Sequence, residues 1–344
     1  MWYDMKRKFL KICFIFIIIA ATVGCKQKDE WELLVFPVEK EVELEMIIED
    51  PVWPNVMRGI DFYNGKLVMM YDKNDRHIHF VDAYTGEELG SMLHKGRGPG
   101  EIIIARKFFI DRETGTFSVY DFMSKKLLSG NIDSLYNGLS LYQVDENFGQ
   151  GTYAVFPLQQ GYFFCQSTYN AEPERRYSMK KNNGELVKYE GYPLDDFNLV
   201  HNIFSPHHMV FSRDRTKMVA SPTYGMILEF FDLKIGIEKT KTRYFRKIYS
   251  KNDGSPDYPK SGVGMANVCG TDKYIYATHG EPDTDWSFNN IAIFDWEGNP
   301  VKIFRTKYKK LINICVDDEE RFLYVVGEKE DGNRVLAKLD LTKH

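Results

Sequence analysis

Six stretches of the chain end an apolar, β-prone run on an Asp or a substitute and then turn: FVDAYTG, NIDSLYNG, SMKKNNG, FFDLKIG, IFDWEGN and KLDLTKH. The aligned positions are Asp82, Asp133, Lys180, Asp232, Asp295 and Asp340, spaced by 51, 47, 52, 63 and 45 residues. A repeat of that length accommodates four short strands and their connections, as in a blade of a β-propeller. Asp at the turn has a local purpose, because its carboxylate accepts hydrogen bonds from nearby backbone amides and favours the bend.

The runs between these anchors obey the same template. In the first unit RGIDFYNG, KLVMMYD, HIHFVDAYTG and EELGSML are four strand-like segments divided by turn residues, and the fifth unit repeats them as MANVCGTDK, YIYATHGE, NIAIFDWEGN and VKIFRTKY. No long amphipathic helical period occurs, which argues against an α/β fold. The final unit stops at RVLAKLDLTKH, its third strand, and an unpaired outer edge would invite aggregation. KEVELEMIIED, ahead of the first unit, alternates like a strand and has no unit of its own. The expected fold is therefore all-β: a six-bladed β-propeller of four-stranded blades over residues 42–344, its ring closed by an N-terminal strand that completes the last blade.

The first residues have a different character. Lys6, Arg7 and Lys8 precede FLKICFIFIIIAATVGC, a cationic region followed by an apolar run too short for a comfortable membrane span, which reads as a secretory signal over residues 1–24. Thr22-Val23-Gly24-Cys25 resembles a bacterial lipobox, with Thr22 in place of the usual aliphatic residue. That resemblance makes Cys25 the lipidated residue and 25–41 a tether. KQKDE after it is similar to the acidic signal that sends Bacteroidetes lipoproteins to the cell surface. The expected location is the outer membrane, facing the periplasm or the exterior, with membrane contact through the lipid alone. Removing the signal leaves about 320 residues, acceptable for one repetitive β domain. A net charge of −4 with no basic stripe argues against nucleic acid as a partner. Cys165, Cys269 and Cys315 each sit in an apolar run and read as buried thiols.

GKLVMMYD, HIHFVDAYTGEELGSMLHKGRGPGEI and their spacing resemble the six-bladed propeller lipoproteins of Bacteroidetes grouped as TolB-like or NHL-like. A Gly-x-Gly-Pro-Gly-Glu stretch after the first blade is their hallmark, matched here by Gly96, Arg97, Gly98, Pro99, Gly100 and Glu101. The third unit departs most, with Lys180 where the turn Asp should be. The resemblance implies the fold rather than an activity.

Candidate site residues follow from the propeller expectation, in which inter-blade connections and second-to-third-strand loops share the ligand-binding face. Those loops carry Tyr71, Asp72, Arg97, Glu101, His201, His207, Tyr224, His279 and Trp286. Aromatic faces among carboxylates and amides suit a glycan or peptide, or a partner envelope protein. For Glu101 the competing reading is that it ties backbone amides of the GRGPGE corner. No metal or other cofactor is expected: His207 and His208 point apart on a strand, and His77 with His79 reads as a solvated pair. No Gly-x-Ser-x-Gly or His-Glu-x-x-His motif occurs, and GRGPGE lacks the Lys-Ser/Thr ending of a phosphate loop. The reading is a monomeric binding or scaffold module rather than an enzyme, the alternative being an NHL-like hydrolase or lyase acting at the central channel.

Overall fold

The computed structural model describes residues 34–49, 57–138, 141–144, 148–149, 151–167, 176–190, 206–222, 227–245, 251, 257, 260, 267–280 and 288–344. Two N-terminal strands, β1 (Glu39–Glu41) and β2 (Glu45–Glu49), precede six blades. Blade one holds β3 (Gly59–Tyr63), β4 (Lys66–Lys73), β5 (Arg76–Asp82) and β6 (Glu88–His94). Blade two holds β7 (Ala105–Asp111), β8 (Thr116–Asp121), β9 (Lys126–Asn131) and β10 (Tyr142–Val144), with the short helix α1 (Ile132–Tyr136) before its last strand. Blade three is β11 (Thr152–Pro157), β12 (Tyr162–Ser167), β13 (Tyr177–Lys181) and β14 (Leu186–Glu190). Blade four is β15 (Pro206–Phe211), β16 (Lys217–Pro222), β17 (Ile227–Asp232) and β18 (Glu238–Tyr244). Blade five is β19 (Asn267–Gly270), β20 (Tyr274–His279), β21 (Asn290–Asp295) and β22 (Pro300–Arg305). Blade six is β23 (Lys310–Val316), β24 (Phe322–Glu328) and β25 (Arg334–Asp340).

Blade six gains its fourth strand from the N-terminus: β2 pairs antiparallel with β25, Glu45 opposite Lys338 and Glu49 opposite Val335. This is the expected closure. A second element was not foreseen, since β1 adds to blade five as a fifth strand, parallel to β22. Val42, between the two, is buried in the cluster shared by blades five and six. Ile48 also packs on the turn of blade one, where a Cβ on Gly86 (φ +75°) would lie 2.9 Å from its methyl. Eleven residues thus tie blades five, six and one.

The middle strands read as continuous apolar runs because both of their faces are covered. In β4, Leu67, Met69 and Tyr71 pack toward blade six while Val68 and Met70 pack toward blade two. Period-two alternation therefore distributes one strand between two cores. Among the described residues six such clusters form, one at each blade interface.

Asp turns behave as expected at four anchors. Asp82 accepts from the amides of Tyr84 (2.9 Å) and Thr85 (2.8 Å), Asp232 from Lys234 (2.8 Å), Asp295 from Glu297 (3.0 Å) and Asn299 (2.7 Å), and Asp340 from Thr342 (3.0 Å). In blade three, where Lys180 stands, Asn183 takes over by accepting from Glu185 at 3.0 Å. Asp133 is the exception. It lies in α1, capped by Asn131, and accepts from the Tyr63 hydroxyl at 3.1 Å. The outer connection of blade two is helical, so the aligned Asp has no tight turn to hold.

Candidate functional site

Each innermost strand is entered from the outer strand of the preceding blade, so all of them start on the face of the inter-blade connections. Together they line a cavity of about 190 Å³, with contributions from β3, β7, β15 and β19, Phe156 of β11, and Asp317 and Asp318 after β23. Residues at strand starts (Arg58, Lys107, His208 and Asn267) form its entry end, and those at strand finishes form its exit end.

Ion pairs occupy the exit end. Arg112 donates to Asp61 at 2.5 Å and Asp318 at 2.9 Å, joining blade two to blades one and six. Arg215 of blade four pairs with Asp111 of blade two and donates to the Pro157 carbonyl of blade three at 3.5 Å. Arg213 reaches Asp272 of blade five at 3.0 Å. Burial works against the Arg112 charge, but Asp61 and Asp318 hold the guanidinium protonated beyond the ordinary arginine range.

The entry end differs. Lys107 Nζ lies 3.5 Å from His208 Nδ1, and among the described residues no carboxylate pairs with it. Lys107 lines the cavity, and burial alone lowers its pKa to about 8. Arg106, next to it, turns to aromatics instead, with its guanidinium 5.4 Å from the Phe122 ring and 5.6 Å from Tyr153. Asn267 donates to Asn313, whose amide reaches the Met57 carbonyl at 3.3 Å. Deeper, Cys269 lines the wall with its thiol pushed well up by burial. All three thiols of the propeller are free, and burial pushes that of Cys165 up to about 12.

Of the residues singled out in the sequence, those that the structure describes do not line this cavity. Tyr71 is buried between blades six and one, stacked on His79 at 4.0 Å. Asp72 is exposed, paired with Arg58 and 2.7 Å from His77 Nδ1. Burial raises its carboxyl, but the bonds from Arg58 and His77 more than reverse this and hold it below the usual range. Arg97 is exposed on the connecting loop, and Glu101 folds back on that loop, accepting from the Gly98 amide at 2.7 Å. A Cβ on Gly96 would collide with the same carboxylate. Nothing from GRGPGE lines this cavity, and the motif forms a corner after blade one that Glu101 ties to the Gly98 amide. His279 is buried, 3.0 Å from the Gly280 carbonyl and against Phe245. The backbone of His207 lies in β15, but its side chain, like Cys25, His201, Tyr224 and Trp286, lies outside the described residues.

His77 and His79 are not the solvated pair that the sequence suggests. Both are buried, His77 bridging Asp72 and the Ile102 carbonyl (3.0 Å) and His79 meeting Glu88 (3.1 Å) and stacking on Tyr71. Burial drives His79 below the ordinary histidine range despite Glu88 beside it. Lys107 and His208, which do line the cavity, were not among the residues singled out. The signal was two adjacent cations inside IIIARKFFI, a costly arrangement in a strand buried on both faces unless one cation faces a cavity.

A model of the TolB-like 6-blade propeller family matches residues 56–319. The chain belongs to this family. Among solved structures it is similar to a Bacteroides fragilis protein inferred to be exported, at 13% identity and a TM-score of 0.55, covering 88% of this chain and 98% of the other. Regucalcin, a calcium-binding protein from Agrobacterium tumefaciens, is similar at 12% identity and a TM-score of 0.52, covering 87% and 95%. At such identities the likeness is one of fold. No curated protein matches this TolB-like chain. Among its described residues no helix is long and apolar enough to cross a membrane.

Proposed function

We propose that this TolB-like propeller is a cell-envelope binding module, tethered through Cys25, that takes the end of a glycan or peptide into the entry end of its ring. One observation carries the reading: among the described residues the entry end holds Lys107 without a carboxylate partner, whereas the exit-end arginines are engaged with aspartates. Polar groups left uncommitted in a cavity beside an aromatic wall, here Phe109, are what a ligand site requires. The signal-like N-terminus and the exported Bacteroides neighbour support the envelope placement.

Calcium of the regucalcin kind does not fit this cavity. Asp61, Asp111, Asp272 and Asp318 are each paired with an arginine, and among the described residues no three His, Cys, Asp or Glu side chains converge. A second reading, a lyase or hydrolase, is favoured by the amine of Lys107, whose pKa of about 8 suits a general base.

A glycan and peptide array probed with the mature chain, with Lys107→Met beside it, tests the proposal. Selective binding that weakens in the variant is expected. Binding that ignores the change would remove the site from the entry end, and turnover of a bound compound would favour the enzyme.

A further inference from the structure

We infer that the group received at the entry end is a carboxylate, carried as a single negative charge and held by the Lys107 ammonium. The inference deepens the binding reading above and rests on it. An ammonium withdrawn from water needs a counter-charge, and the arginines that line the cavity have one: Asp72 for Arg58, Asp61 and Asp318 for Arg112, Asp272 for Arg213, Asp111 for Arg215. Among the described residues Lys107 has no carboxylate partner, and the imidazole of His208 lies beside it at 3.5 Å. Burial lowers its proton affinity and, among the described residues, no acidic side chain offsets this, so a bound anion would supply the counter-charge.

The charge count favours one negative charge over two. A phosphate dianion suits forked or multiple cationic donors, whereas this end offers one point charge and neutral amides such as Asn267. Arg58, the nearest alternative by position, is held by Asp72 and lies 3.4 Å from His77.

The test is a titration of the mature chain with acetate, acetamide and inorganic phosphate, following the ε-methylene NMR signal of Lys107 assigned by its loss in Lys107→Met. Acetate is expected to shift that signal saturably and to raise the pH at which it titrates, with acetamide weaker by about tenfold or more, the difference that a charge-assisted hydrogen bond supplies. Glucuronate and acetylglycine then distinguish a sugar from a peptide as the carboxylate's source. No saturable response to acetate, or phosphate binding more tightly than acetate, would overturn the inference. That result would leave the binding reading intact if the array still returned a neutral ligand sensitive to Lys107→Met.

Discussion

Arg176 and Glu229 meet in two parallel contacts, Nη1 to Oε2 at 2.7 Å and Nη2 to Oε1 at 3.1 Å, with both side chains sealed between blades three and four. Arg176 leads into β13 and Glu229 lies within β17, so 53 residues separate the partners. The guanidinium also lies 4.6 Å from the Tyr177 ring centroid, and Lys239 approaches Glu229 at 3.9 Å. Forked geometry and stacking offset the desolvation of both charges, and losing either partner strands the other.

Replacing Glu229 with Ala should therefore lower stability by about 3–5 kcal/mol, as for other broken buried pairs. The double change Arg176→Met with Glu229→Leu, which removes both charges, should cost much less. Urea unfolding of the three proteins decides this; equal midpoints for wild type and Glu229→Ala would contradict it.

Deleting residues 26–49 from the mature chain should abolish cooperative unfolding. The deletion leaves β25 as an open edge and uncovers the apolar surface under Val42 and Ile48. Calorimetry of the truncated protein is the measurement, and a wild-type melting profile would show that the clasp is dispensable.

Lys107→Met should stabilise the protein at pH 7 by about 1–3 kcal/mol, because it removes an uncompensated buried charge. The folded amine titrates at about 8 and the unfolded one near 10.5. Below pH 8 both states hold the proton and the penalty is complete. Between these values the folded state sheds its proton first, so wild-type stability rises with pH and the advantage of the variant shrinks. Unfolding free energies at pH 7 and 10 test the sign; a gap that widens with pH would refute it.

Glu101→Ala should cost roughly 1–2 kcal/mol, since the Gly98 amide loses its acceptor and the corner loosens. Glu101→Gln retains an acceptor oxygen and should cost less. Both variants should bind the array ligand as wild type does. A loss of affinity with unchanged thermal stability would instead place Glu101 in the binding site.

The repeat was legible in the chain because blade formation is local. Strand, turn and Asp cap fall within about 50 residues, and the period-two pattern that feeds two cores is written along each strand. Closure was legible too, from a missing strand at one end and a surplus strand at the other. The helix at Asp133 was hidden, because NIDSLYNG carries the same Asp and Gly landmarks as its neighbours while Asn131 caps a helix there.

The amino-acid sequence by itself determined the six blades, the strand clasp and the GRGPGE corner, all of which depend on neighbours in the chain or on strand count. Only the tertiary structure decided which charges meet across the ring: Lys107 with His208, Arg112 with Asp318, Arg215 with Asp111, Arg176 with Glu229. Those partners are 101, 206, 104 and 53 residues apart. What joins them is the rotation of each inner strand about a common axis, which no local pattern encodes. The burial of His77 and His79 was likewise decided by the fold, which brings the Ile102 carbonyl onto one ring and stacks Tyr71 on the other.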